Sequence, residues 1–226
     1  MALTGAGVSA ESGVPTFRGG GRSAVWKGMP FDQISSAGML ERDLPGVWEW
    51  FDYRRGVIEQ LAPNAAHRAL ARWPGRFEDF TLVTQNVDGL HQAAGSADVI
   101  ELHGNLRRAR CLSCRARYDL GDNESEAVRS HTCVECGGRL RPDVVLFGET
   151  LPPGAFERAA AAASLCDLCF VVGTSALVYP AAALPEIARG AGAYTVEVNP
   201  ERTPLSELCH ERVEGPAGLV LPLFGD

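Results

Sequence analysis

The sequence predicts an α/β fold, a parallel sheet carrying a smaller helical and zinc-binding insertion, and three observations lead there. Short apolar runs recur along the chain, each ending abruptly in Gly or small polar residues. Helical patterns lie between several of them. Two Cys-x-x-Cys pairs sit in a stretch with little apolar content. Strands alternating with helices belong to parallel sheets whose two faces are covered. At 226 residues the chain has room for one medium domain plus an insertion.

Taken in order, Met1–Thr4 runs into Gly5-Ala6-Gly7 and Phe80–Thr84 into Gln85-Asn86-Val87-Asp88. Val99–Leu102 runs into His103-Gly104, and Val144–Phe147 into Gly148-Glu149. Cys169–Val172 leads to Gly173-Thr174-Ser175, and Tyr194–Val198 to Asn199-Pro200. Runs of this length, closed by turn residues, read as buried strands. Ala155–Leu165 and Ala181–Arg189 read as helices. Polar and Gly residues therefore collect past the carboxyl ends of the strands, where open α/β sheets bind ligands. Two segments break the alternation. Residues 19–75 are helical and loop-rich, with Trp26, Trp48, Trp50 and Phe51 supplying apolar mass, and residues 104–141 hold the cysteine pairs. Both read as excursions that pack together as a smaller domain, leaving 1–18, 76–103 and 142–226 for the main one.

Composition narrows the function. The net charge of −7 argues against nucleic acid as a partner, since such binding draws its affinity from neutralised phosphates. A local basic patch is still expected where Arg107, Arg108, Arg110, Arg115 and Arg117 crowd the first cysteine pair. Lys27 is the single lysine, which reads as compositional bias. No apolar run approaches the roughly 20 residues of a membrane span, and no basic leader opens the sequence. The expectation is a cytoplasmic protein without a membrane partner.

Cys111-x-x-Cys114 and Cys133-x-x-Cys136 are separated by 18 residues, a spacing suited to a four-cysteine zinc site. Each tight turn aims two thiolates at one centre, and two turns complete a tetrahedron. Four thiolates close the shell, so this one Zn2+ is expected to be structural. His131 is a spare donor made redundant by the complete pairs. Cys166-x-x-Cys169 enters an apolar run and reads as small buried residues, while Cys209 is uninformative.

Gly5-Ala6-Gly7-Val8-Ser9-Ala10 fits a loose dinucleotide fingerprint after a short strand, in which backbone N–H groups approach a pyrophosphate. A hydride-transferring enzyme would continue with a helix and a second strand ending in an acidic residue. This chain continues instead with Glu11-Ser12-Gly13-Val14-Pro15-Thr16-Phe17-Arg18, a loop. The pattern points to a nucleotide that is not used for ordinary redox chemistry, with Asn199 as a candidate partner of the adenosine ribose.

The segment Gly5 to Arg18 resembles the signature loop of the sirtuins, the silent-information-regulator-type protein deacylases. Thr84-Gln85-Asn86-Val87-Asp88-Gly89-Leu90-His91 is similar to their second motif, and Glu101-Leu102-His103-Gly104 to their third. The cysteine pairs, Arg141-Pro142, Val145-Leu146-Phe147-Gly148-Glu149, Gly173-Thr174-Ser175 and Val198-Asn199-Pro200 follow in order. The resemblance covers essentially the whole chain and is nearest the bacterial, desuccinylase-type (class III) branch. It implies a large Rossmann-like domain, a small helical and zinc domain, and a cleft between them for NAD and an acyl-lysine protein or peptide. It places Gly5, Ala6, Gly7, Ser9, Thr16, Phe17 and Arg18 on the phosphates and nicotinamide ribose, and Gln85, Asn86, Val87 and Asp88 around the carboxamide. Gly173, Thr174, Ser175, Asn199, Pro200, Glu201 and Ala217 fall on the adenosine side, with Val145 and Phe147 on the substrate.

By the same resemblance, the nicotinamide–ribose bond breaks as the acyl oxygen attacks the sugar, and a ribose hydroxyl then loses a proton. His103 matches the base, and a neutral imidazole suits that task near pH 7. His67, after the helix-start signal Pro63-Asn64, and His91, beyond the Asn86–Asp88 turn, read as structural. Relatives that prefer acidic acyl groups carry Tyr-x-x-Arg in the helical module. Here Phe51 replaces the Tyr and Arg54 is kept; the two share one helix face. Losing a hydroxyl hydrogen bond there weakens acidic-acyl recognition by about 1 kcal/mol or more. The expected activity is deacetylation with a desuccinylase capacity. Transfer of ADP-ribose to protein and a zinc-ribbon binding module with a vestigial nucleotide site are the competing readings.

Overall fold

A computed structural model describes residues 1–15, 25–121 and 125–224. Six short strands form one parallel sheet in the order Glu211–Val213, Tyr194–Val198, Leu168–Val172, Ala2–Thr4, Leu82–Thr84, Val99–Glu101. Numbered along the chain this is 6-5-4-1-2-3, the doubly wound order whose direction reverses beside the first strand. Side chains alternate across the sheet as a two-residue period requires. Leu3, Val83 and Val171 face a core with the helices Ala155–Leu165 and Leu184–Gly190. Ala2, Leu82, Phe170 and Val172 face a second core with Leu70, Trp73, Val220 and Leu221.

The helix Ala65–Arg72 starts where Asn64 accepts the N–H groups of Ala66 and His67, while the His67 ring accepts that of Asn64. Its Ala66, Ala69 and Leu70 pack on the large sheet, not with the helical excursion 19–75 to which the sequence assigned them. The reason is geometric: its buried face is small and apolar and fits flat against Leu82 and Phe170. Among described residues, the earlier part of that excursion forms helices Phe31–Ile34, Ala37–Arg42 and Leu44–Glu59. The longest is capped by Asp43, which accepts from Gly46 N–H at 3.0 Å, and begins with Pro45 in its first turn. Ile34, Met39, Trp50 and Phe51 pack with Leu106, Val144 and Leu146.

The cysteine segment forms a three-stranded antiparallel sheet of Gly104–Cys111, Arg117–Asp119 and Leu140–Val144. The run Val144–Phe147, expected as a strand of the large sheet, departs from that reading. The strand ends at Val144 and belongs to the small sheet, and Val145–Phe147 leave it as a loop. Buried polar pairs concealed the true strand. Arg141, with 3% of its side chain exposed, holds both carboxylate oxygens of Glu149 and donates to the Pro142 and Val144 carbonyls. Asp143 lies within ion-pair reach of Arg108, Arg110 and Arg117, and Arg108 also pairs with Glu101. Three of the five arginines expected as a basic patch are thus drawn into ion pairs within the small sheet.

The helical and cysteine segments meet at Trp48, whose indole donates to the Leu140 carbonyl at 2.9 Å. His131 stacks on Trp48 with ring centroids 3.8 Å apart and lies 3.7 Å from Asp52. No helix among the described residues is long and apolar enough to cross a membrane.

Candidate functional site

The sheet reverses direction between Ala2–Thr4 and Leu168–Val172, and the turns leaving these strands, at Gly5 and Gly173, interlock. Gly5 N–H donates to Val172 O at 3.0 Å and Gly7 N–H to Gly173 O at 2.7 Å. A Cβ on Gly7 would lie 2.7 Å from Gly173 Cα, and one on Gly173 would lie 2.5 Å from Val8 N. Gly173 also adopts φ 57°, which a side chain resists. Bare backbone on both turns is therefore required, and both turns line a cleft of about 1480 Å³.

That cleft gathers most residues the sequence singled out. Gly5, Ala6, Gly7, Gln85, Asn86, Val87, Asp88 and His103 line it, as do Gly173, Thr174, Ser175, Asn199, Pro200 and Glu201. Phe51, Arg54, Val145 and Phe147 line the same space. Thr16, Phe17 and Arg18 lie outside the described residues. Two of the assigned residues do not reach the lining. Ser9 is fully buried behind the cleft and its hydroxyl is saturated by protein. Ala217 is 3% exposed and absent from the lining; Pro216 is the neighbouring residue that reaches it.

Ser9 sits at the centre of a hydrogen-bonded chain. His67 Nδ1 accepts from Asn64 N–H, so the ring proton is on Nε2 and is donated to Ser9 Oγ at 3.2 Å. Asn86 Nδ2 donates to the same oxygen at 3.1 Å and to Gly5 O at 3.1 Å. Ser9 in turn donates to Asp88 Oδ2 at 2.7 Å, while Asp88 Oδ1 accepts from Leu90 N–H at 3.0 Å. The two cleft-lining polar side chains Asn86 and Asp88 are thereby held in one orientation. Burial lowers His67 to about 4, partly opposed by Asp88. His91, against Thr4 Oγ1 at 3.0 Å, is lowered to about 3 by burial and by His67. Both rings stay neutral braces.

His103 lies in the turn between the strands Val99–Glu101 and Gly104–Cys111 and is followed by Gly104, where a Cβ would sit 2.1 Å from Asp143 O. Its Nδ1 lies 2.8 Å from the Gln85 carbonyl. A carbonyl only accepts, so Nδ1 bears the proton and Nε2 keeps its lone pair. Burial lowers its pKa below the ordinary histidine value, against the pull of that carbonyl. The ring is a neutral base on the cleft wall. Gln85 is itself fixed, donating from Nε2 to Thr174 Oγ1 at 2.9 Å. Asn199 donates to Thr174 O at 2.9 Å, drawing the adenosine-side candidates together.

Arg54 is lowered to about 10 by burial, offset by attraction to Asp88, and its guanidinium lies 5.5 Å from the centre of the Trp50 ring. Sequence reasoning passed over Leu177, Val178 and Tyr179, which line the cleft yet are 52%, 37% and 68% exposed. A large apolar run inside a Gly- and Pro-bounded loop was the available signal.

The four cysteines of the small sheet converge: Cys111 and Cys136 sulfurs are 3.6 Å apart, Cys114 and Cys133 3.5 Å, and all four lie within 4.8 Å of one another. Tetrahedral coordination with Zn–S bonds of about 2.3 Å requires sulfurs about 3.8 Å apart. The donor set and its dimensions fit one zinc ion. His131, engaged with Trp48, is not among these ligands.

Comparison with known proteins agrees with this geometry. The sequence model described as "Sir2 family" matches residues 5–180. An NAD-dependent protein deacylase of Aquifex aeolicus (strain VF5) is 44% identical over 222 residues, covering 97% of this chain and 91% of the relative. A crystal structure of a Sir2 homologue in complex with NAD superposes with a TM-score of 0.89 at 41% identity, covering 98% of this chain and 85% of that one. A Sir2 structure with a p53 peptide and NAD+ gives 0.84 at 32% identity, covering 98% and 90%.

Proposed function

Since this chain belongs to the Sir2 family, we propose that it is an NAD-dependent protein-lysine deacylase, releasing nicotinamide and O-acyl-ADP-ribose. The observation that carries this reading is the His103 imidazole, held neutral with Nε2 unprotonated, on the wall of the cleft that Asn86 and Asp88 line. NAD, when bound, supplies a glycosidic bond whose cleavage frees nicotinamide and opens a ribose carbon to the acyl oxygen. Gly5, Ala6 and Gly7 bring bare backbone up to its phosphates; with the Gly5 and Gly7 N–H groups given to Val172 O and Gly173 O, Ala6 is the one of the three whose N–H can face them. Asn86 and Asp88, locked through Ser9 and His67, orient the carboxamide. Thr174, Ser175, Asn199 and Glu201 hold the adenosine end. His103 Nε2 takes the proton from a ribose hydroxyl. The four cysteines hold zinc in a closed shell, so the metal supports the small sheet and takes no part in the reaction.

The chain works, in this reading, as a large nucleotide-binding lobe and a smaller helical and zinc lobe, with an acyl-lysine peptide entering beside Val145 and Phe147. Acetyl-lysine is the main substrate, and Arg54 beside Phe51 adds a capacity for succinyl-lysine through a charge-assisted bond to the distal carboxylate. Four thiolates dedicated to a metal suit the reducing cytoplasm. The test is nicotinamide release from NAD with and without an acetyl-lysine peptide. Release that depends on the peptide and is lost in His103→Ala is expected; turnover that survives this substitution unchanged removes the proposed base.

A further inference from the structure

Glu11 has no part in the chemistry above, yet it makes a contact across 207 positions of sequence. Its Oε2 accepts the backbone N–H of Gly218 at 2.6 Å. Gly218 is the second residue of the turn-length helix Ala217–Val220, whose preceding residue is Pro216. Proline has no side-chain acceptor, so no capping side chain satisfies the first N–H groups of that turn. Leu219 and Val220 N–H both fold back to Pro216 O, while the Gly218 N–H is satisfied by Glu11. The approach also depends on the missing side chain: a Cβ on Gly218 would lie 2.8 and 2.9 Å from the two Glu11 carboxylate oxygens.

The two ends of this contact come from different elements of the cleft wall, and the Pro216 turn sits beside Asn199, whose carbonyl accepts the Gly215 N–H at 3.4 Å. Glu11 lies on the seven-residue 3-10 helix Ala6–Ser12 that continues the Gly5-Ala6-Gly7 turn, and it lines the cleft together with Pro216. That helix is pinned on its other side, where Asn64 Nδ2 donates to Val8 O at 2.8 Å and His67 meets Ser9. We infer that Glu11 is a positioning residue that latches the Pro216–Val220 turn onto the glycine-rich loop and so closes the adenosine end of the cofactor cleft. This rests on reading the cleft as the NAD site. The latch sets how tightly the ADP-ribose half is held; it touches no reacting atom.

The contact is tested with Glu11→Ala, Glu11→Gln and Gly218→Ala in the full chain, by titration calorimetry with ADP-ribose, steady-state kinetics in NAD, and amide hydrogen exchange at Gly218. A hydrogen bond to a charged acceptor sets the scale. Glu11→Ala is expected to weaken ADP-ribose binding and raise KM for NAD about tenfold, with kcat within about twofold of the parent, and to speed exchange at Gly218. Glu11→Gln keeps an acceptor oxygen and is expected to restore most of the affinity. Gly218→Ala is expected to mimic Glu11→Ala by displacing the carboxylate. Unchanged exchange at Gly218 in Glu11→Ala would show that no latch exists. Faster exchange with unchanged ADP-ribose affinity would show that the latch is uncoupled from the cofactor, and a fall in kcat alone would also overturn the assignment. Failure of the parent protein to bind ADP-ribose sinks the NAD reading itself, an outcome separate from the exchange result.

Discussion

The Arg141–Glu149 pair offers the sharpest energetic test of how the small sheet shapes the cleft. Arg141 is almost wholly buried, and Glu149, 19% exposed, answers it with both oxygens while also accepting Leu146 N–H at 2.9 Å. Burial alone would raise the Glu149 pKa, but the hydrogen bonds from Arg141 and Leu146 hold it below the usual carboxylate value. Glu149→Ala leaves a guanidinium buried without its counter-charge, which costs about 3–5 kcal/mol. Arg141→Met removes the charge and two bonds to backbone carbonyls, at about 2–4 kcal/mol. In the double variant Arg141→Met/Glu149→Ala no unpaired charge remains, so the loss is expected at about 2–4 kcal/mol, leaving a coupling near 4 kcal/mol. Urea unfolding of the zinc-loaded protein reads these values. With a slope of about 3 kcal/mol/M for a chain of this size, Glu149→Ala lowers the midpoint by roughly 1–1.7 M. Losses that simply add, with coupling below about 0.5 kcal/mol, would refute the claim that the pair is one unit.

Three further outcomes are expected. Buried neutral His67 and His91, with native pKa values of about 4 and 3, bind fewer protons than the unfolded chain once pH falls below about 6.5. Stability should therefore drop from there downward, by about 2 kcal/mol per histidine at pH 5; a urea midpoint that is flat between pH 7 and 5 contradicts this, and His91→Gln should halve the slope. Cys133→Ser, or a strong chelator, should remove one zinc per chain by atomic absorption and unprotect the Gly104–Cys111 and Leu140–Val144 amides before the large parallel sheet; simultaneous loss of both sheets argues against a separate structural role. Arg54→Met should lower kcat/KM for a succinyl-lysine peptide at least tenfold more than for an acetyl-lysine peptide, and equal losses would take Arg54 out of acyl recognition.

Much of this site could be read from sequence because its chemistry sits at strand ends, where an apolar run stops and Gly, Asn or His begins. The cysteine spacing was equally plain, since two tight turns are all a tetrahedron needs. What escaped was anything decided by pairing across the fold. Val144–Phe147 is an apolar run that periodicity cannot tell from a strand, whereas the real strand hides Arg141 and Asp143 behind partners on other segments, Glu149 and Arg117. The edge strand Glu211–Val213 is too short and polar to announce itself. Ser9 sits within the glycine-rich motif, yet only the positions of His67, Asn86 and Asp88 reveal that its hydroxyl is already occupied.

The strand order carries a consequence for how the molecule comes to exist. Ala2–Thr4 is made first but lies in the middle of its sheet, flanked by partners that arrive around residues 82 and 168. During synthesis the edge toward Leu82–Thr84 can pair early, but the edge toward Leu168–Val172 stays open until that strand has emerged, and closing it requires contacts of large sequence separation, which form slowly. The nucleotide cradle, built where that late neighbour docks, cannot exist earlier. A ligand that fills it should act on the newborn protein as a clasp, favouring the last and most distant pairing over the aggregates that unpaired strands invite.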